Sequence, residues 1–194
     1  MYTETTPNPL AIKIVLGVPP VSEGFHLFSS LSECATQPAV LSDLFSLPGL
    51  DSVLLTPEFI TLTKTPEVPW SLLESIVLSV LSHHLDLFPL TINPRCDSSP
   101  SSQETHPWHG WTPPTAEAAE WLRDVETVID ERIRPGIEAD GGMLTVLAFD
   151  QGILYIQLHG ACSSCPHSQE TLSGGIEQTL TYYFPEIQSV NLVP

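Results

Sequence analysis

Apolar positions along this chain fall into two well-patterned blocks separated by a stretch with no pattern. In the first block, Ala11 to Val15 reads as a strand following the Pro7-Asn8-Pro9 turn. Val40 to Leu47 reads as a short helix closed by Pro48-Gly49. Val53 to Leu55 and Phe59 to Thr63 read as two strands joined by Thr56-Pro57-Glu58. From Trp70 onward, Leu72, Leu73, Ile76, Val77, Val80, Leu81 and Leu85 recur at helical spacing. This is the most apolar stretch, but Glu74, His83, His84 and Asp86 interrupt it, whereas a membrane span needs about 20 nearly uncharged residues. A buried amphipathic helix is the expectation, and residues 1–87 form one α+β unit.

The second block, residues 115–194, starts at Thr115, an N-cap with Ala118 where a capping box would have Glu or Gln. Leu122, Val125, Ile129 and Ile133 give this helix one buried face, and Arg132 and Arg134 suit the dipole of its last turn. Pro135-Gly136 and then Asp140-Gly141-Gly142 are expected to break it. Met143 to Phe149 and Ile153 to His159 are expected strands, with Asp150-Gln151-Gly152 as the hairpin signal. A second helix is expected from Ser168 to Tyr183, burying Leu172, Ile176, Leu180 and Tyr183, with Pro185 as its stop and Ile187 to Val193 as a last strand. The order helix, strand, strand, helix, strand predicts a three-stranded sheet covered by two helices. Between the blocks, residues 88–114 carry Pro89, Pro94, Pro100, Pro107, Pro113 and Pro114 among polar residues. That composition reads as a flexible Pro/Ser-rich linker. Trp108 and Trp111 within it are suited to docking on a domain or client, or to local packing.

Charge narrows the partners. The 194 residues carry 23 acidic and 6 basic side chains, a formal net charge of -17. Nucleic acid needs Lys and Arg to displace its counterions, and anionic membrane surfaces need them too, so neither partner is expected. The 4 cysteines, Cys34, Cys96, Cys162 and Cys165, show no disulfide-framework spacing. The first residues lack the pattern of a signal or transit peptide, so a bacterial cytoplasm is expected, or a mitochondrial matrix for a processed chain.

The chemistry concentrates in Cys162-Ser163-Ser164-Cys165-Pro166, between a strand and a helix. A helix N-terminus favours thiolate over thiol, and the thiolate is both metal ligand and redox nucleophile. Four readings compete. A buried inert pair fits poorly in a small, polar loop segment. A dithiol oxidoreductase also opens a helix with a CxxC, but after a strand in a parallel βαβ setting, whereas the strands here form a hairpin and no aromatic precedes Cys162. A structural zinc wants four ligands, so His159, His167 or a second chain would have to contribute. A [4Fe–4S] cluster takes four thiolates, and two copies of the motif about a two-fold axis would supply them. Such a cluster would lie at a subunit boundary near solvent, easy to hand on. Cys34 and Cys96 are isolated and read as bystanders. His83-His84 reads as a solvated helix end, and His106 and His109 as parts of the linker. Asp140-Gly141-Gly142 reads as a turn entering the strand, with glycine supplying positive φ, in preference to a functional turn.

Several segments recur together in a known family. Ile133-Arg134-Pro135, Ala139-Asp140-Gly141-Gly142, Gly160-Ala161-Cys162-Ser163-Ser164-Cys165-Pro166, Thr171-Leu172, Gly175-Ile176-Glu177 and Phe184-Pro185-Glu186-Ile187 resemble the C-terminal domain of NifU-type proteins. Thr6-Pro7-Asn8-Pro9, residues 44–50 and Phe59-Ile60-Thr61-Leu62-Thr63-Lys64 are similar to the N-terminal domain of the Nfu branch. Met143, Ser173-Gly174, the scarcity of Lys and Arg, and the long linker depart from the family pattern. The resemblance implies an iron–sulfur cluster scaffold or carrier, not an enzyme. It implies a homodimer in the cluster-bound state, a labile [4Fe–4S] cluster held by Cys162 and Cys165 of two subunits, and transfer to apo-proteins after exchange with upstream assembly proteins.

Overall fold

The computed structural model describes residues 1–34, 37–93, 113, 115–163 and 166–193, with the backbone alone for 166–173. The chain divides into two units, residues 1–102 and 103–194.

In the first unit a five-stranded antiparallel sheet has the order β1-β2-β5-β4-β3. Its strands are β1 (Tyr2–Thr5), β2 (Ala11–Val15), β3 (His26–Phe28), β4 (Leu50–Leu55) and β5 (Ile60–Lys64). Two of these, β1 and β3, carry too few apolar residues to stand out in the sequence, and each is an edge strand. Ala11–Val15 is therefore the second strand rather than the first. The Pro-Asn-Pro turn joins it to β1: the Asn8 Oδ1 accepts from Leu10 N at 2.9 Å and the Thr6 hydroxyl donates to Asn8 O at 2.9 Å. At the β4–β5 turn the Thr56 hydroxyl donates to Phe59 O at 2.9 Å and accepts from Phe59 N at 3.0 Å.

Helices α1 (Ala39–Phe45) and α2 (Trp70–His83) supply Val40, Leu41, Leu44, Val77 and Leu81 to one core with Ile12, Ile14, Val53, Leu55, Ile60 and Leu62. The apolar stripe of α2 proves narrower than its sequence. Leu73, Val77 and Leu81 are buried, but Leu72 is 62% and Ile76 45% exposed, because the sheet covers only one side of the helix. At its end, His84 Nε2 lies 2.7 Å from Asp43 Oδ2, a carboxylate partner that sequence spacing did not reveal. Residues 88–93 lie against the first unit. Leu90 is buried and its N–H donates to Pro20 O at 2.8 Å, while Asn93 N donates to the Gln37 Oε1 at 3.0 Å. The rest of the expected linker, 94–112 and 114, lies outside the described residues, with Cys96, His106, Trp108, His109 and Trp111.

The second unit is helix, strand, strand, helix, strand, as expected. The Thr115 hydroxyl caps α3 (Ala116–Val128), accepting from Ala118 N at 3.1 Å. Pro135-Gly136 does not break the helix. It runs on through a π-helical turn, Ile129–Ile133, into α4 (Arg134–Ala139), with Pro135 in the first turn of α4. The break comes at Asp140-Gly141, where Gly141 has φ 77°. Strands β6 (Gly142–Asp150) and β7 (Ile153–Gly160) form the hairpin, and Gln151 (φ 49°) and Gly152 (φ 84°) make its two-residue loop. Helix α5 (Pro166–Tyr183) follows, then β8 (Ser189–Val193), parallel to β7. Val125, Ile129, Ile133 and Ile137 face Leu144, Leu154, Ile156, Leu158, Ile176 and Leu180 in one core. Tyr183, expected on the buried face of α5, is 44% exposed.

Candidate functional site

The loop carrying Cys162 is built by glycines. Gly142 and Gly160 face each other at the open end of the β6–β7 ladder. Beyond them Ala161 N donates to Gly141 O at 3.1 Å, which ties the end of β7 back to the helix break. Gly160 takes φ 67°, a conformation a side chain would strain, and so turns the chain. Ser163 closes the turn on the same carbonyl: its N–H donates to Gly160 O at 3.2 Å and its hydroxyl at 2.9 Å. Cys162 is thus held at its apex, between a strand and the helix that opens at Pro166.

Within that turn Cys162 is only 2% exposed and packs with the apolar core of the second unit. Cys165, its expected companion, lies outside the described residues, as does the side chain of His167. Among the described residues no group of three or more His, Cys, Asp and Glu is placed to hold a metal ion. The donor chemistry at Cys162 fits a thiophilic metal: a soft sulfur on a tight turn, four positions before the first residue of a helix. Cys34 lies in the core of the first unit, its thiol directed at Ser30 O at 3.5 Å.

His159 was a possible zinc ligand on sequence grounds. It lies in β7 on the face opposite the Leu154, Ile156 and Leu158 stripe, and its Nε2 sits 2.9 Å from Thr145 Oγ1. Burial pushes its pKa down to about 4, so the ring is neutral near pH 7.

Arg134 does more than sequence reasoning gave it. Its Nε donates to Asp130 Oδ1 at 2.6 Å, and its Nη1 donates to Leu144 O at 3.0 Å beside Met143 Sδ at 3.3 Å. The π turn just before it is the local feature that an unbroken 3.6-residue pattern concealed. Arg134 thereby fastens the helix to the start of β6, next to Gly142.

One expectation about the setting is overturned. The hairpin before Cys162 is present, but β7, α5 and β8 also form a parallel β-α-β unit. The motif therefore does open the crossover helix of such a unit, a relation that local pattern could not reveal because each β7 residue pairs with one in β8 36 positions downstream.

Comparison with known proteins completes the picture. A family model described as "Scaffold protein Nfu/NifU N terminal" matches residues 1–87, and one described as "NifU-like domain" matches 125–191. The human protein named "NFU1 iron-sulfur cluster scaffold homolog, mitochondrial" is 31% identical over 194 residues, covering 100% of this chain and 71% of that protein. The protein of the same name from Drosophila ananassae is also 31% identical over 194 residues, covering 100% of this chain and 64% of its own length. The chain thus spans about two thirds of the length of these curated relatives. The solution NMR structure of a NifU-like protein from Saccharomyces cerevisiae matches with a TM-score of 0.44 at 21% identity, over 48% of this chain and 83% of that one. Two family models that together match most of the chain, and a relative 31% identical over the whole of this chain, place the protein: it belongs to the Nfu/NifU family.

Proposed function

We propose that this protein is an iron–sulfur cluster scaffold and carrier. Its cargo is a labile [4Fe–4S] cluster bound between Cys162 and Cys165 of one copy and the same pair of a second. The observation that carries the reading is the turn at Gly160–Ser163. It holds Cys162 between β7 and the helix that opens at Pro166, so that both cysteines of the motif fall in the short segment joining the two at one end of the unit. Two thiolates per chain leave half of a four-thiolate site to be supplied, and a self-complementary dimer supplies it. A cluster held at such a boundary is accessible to an acceptor. The role is therefore delivery to apo-proteins, with loading by upstream assembly proteins, and needs no catalytic residue. The relatives carry a mitochondrial designation, which favours the matrix over a bacterial cytoplasm as the compartment. No helix among the described residues is long and apolar enough to cross a membrane.

Anaerobic reconstitution with iron and sulfide tests the proposal. A brown protein, with the colour lost in Cys162→Ser and in Cys165→Ser but kept in Cys34→Ser and Cys96→Ser, is expected. Colourless protein holding stoichiometric zinc would overturn it.

The parallel β7-α5-β8 unit favours a second reading, a dithiol oxidoreductase. Reduction of insulin disulfides by the cluster-free protein, at a rate abolished in Cys162→Ser, would support that reading instead.

A further inference from the structure

Two adjacent glycines at the end of α4 are glycine for different reasons. Gly141 has φ 77°, so it serves the backbone. Gly142 is not among the residues of positive φ, and its backbone would accept a side chain. Space is what forbids one. A Cβ on Gly142 would lie 2.5 Å from Cys162 Sγ, 2.9 Å from Cys162 Cβ and 3.1 Å from His159 O. The first two distances are shorter than real carbon contacts allow, so the thiol occupies the space a side chain at 142 would fill.

We infer that Gly142 is a positioning residue for Cys162: its missing side chain forms a seat in which the thiol is stowed, and the thiol must leave that seat to bind metal. This rests on the scaffold reading for its meaning. A sulfur that bridges to a second copy has to stand at the surface, and a sulfur on a residue 2% exposed does not. The seat is well anchored, because Ala161 N donates to Gly141 O and Gly142 pairs with Gly160, so the turn cannot drift without breaking the end of the ladder. Cluster loading then begins with an opening of the Gly160–Ser163 turn. The stowed thiol is shielded from alkylation and oxidation until that opening occurs.

The test is the rate at which iodoacetamide labels Cys162 in the cluster-free, full-length Cys165→Ser protein, read by peptide mass spectrometry. Gly142→Ala in that background crowds the seat at a φ that alanine accepts. Labelling about tenfold faster is expected, because overpacking of this degree shifts a two-state opening by that order. Gly152→Ala is the control, a glycine at φ 84° in the hairpin loop at the far end of the same ladder. It strains the unit without touching Cys162, and its labelling rate should match the parent's. Equal rates in Gly142→Ala and the parent overturn the inference, as does equal acceleration by Gly152→Ala. If Gly142→Ala does not fold, adding Cys162→Gly removes both crowding sulfur and carbon. Restored folding supports the seat, and continued failure overturns it. Labelling needs no iron, so failure of the scaffold reading would appear separately, as a wild-type protein that takes up no cluster.

Discussion

His159 and Thr145 meet side chain to side chain across the β6–β7 ladder, Nε2 to Oγ1 at 2.9 Å, on the face of the sheet that points away from the core stripe. The residue is 8% exposed, and that burial sets its charge. His159 has a folded pKa near 4 against an ordinary 6.5. Above pH 6.5 both folded and unfolded forms are neutral and the group contributes nothing to pH dependence. As pH falls from about 6.5 toward 4, the unfolded chain takes a proton that the folded one refuses, and stability is lost. The second unit should lose on the order of 3 kcal/mol over that window from this group alone. Amide hydrogen exchange of the full chain measures it: protection in β6 and β7 should fall between pH 6.5 and 4, and His159→Gln should flatten the decline.

Arg134 gives a second prediction. A charged donor on a backbone carbonyl contributes about 1.5–3 kcal/mol, so Arg134→Ala should loosen the start of β6 by about that much. Arg134→Lys should recover less than half, because an ammonium cannot reach Asp130 and Leu144 O together as the guanidinium does. Exchange rates of the β6 amides report both variants.

These two relationships mark the limit of what the sequence discloses. Helices and strands of the second unit were legible because one apolar residue every three or four, or every two, suffices to identify a face. The π turn was not, since Ile129 and Ile133 keep a helical spacing that hides the extra residue. Strands β1 and β3 sit at sheet edges, where little burial is required and no apolar alternation marks them. The stripe on α2 was over-read because Leu72 and Ile76 are apolar yet face outward. At the candidate site, the motif and its place before a helix were legible from order alone. The contact of Gly142 with the thiol was not, because 20 positions of chain separate the two and only the closed ladder brings them together.

Trp121 supplies a third prediction. Its ring lies 4.5 Å from Phe149 and, edge to face, 5.8 Å from Phe184, while its buried indole N–H finds no acceptor among the described residues. Trp121→Phe keeps an aromatic ring and removes the orphaned donor, so stability should change by less than about 1 kcal/mol. Trp121→Ala should cost about 2–4 kcal/mol. Urea unfolding followed by near-ultraviolet circular dichroism distinguishes the two.

Cys34 tests the division of labour between the cysteines. It is buried in the first unit at 1% exposure, so Cys34→Ser exchanges a small hydrophobe for a hydroxyl and should cost about 1–2 kcal/mol of that unit's stability. Iron content after reconstitution should not change, and a drop matching that of Cys162→Ser would make Cys34 a ligand.

The most direct test of the central claim is an iron and sulfide count on anaerobically reconstituted full-length protein, made together with its mass in solution. A shared cluster predicts about four irons and four sulfides per dimer, with the dimer dissociating when the cluster is chelated away. A monomer that retains its full iron complement, or a dimer that carries zinc and no sulfide, would contradict it.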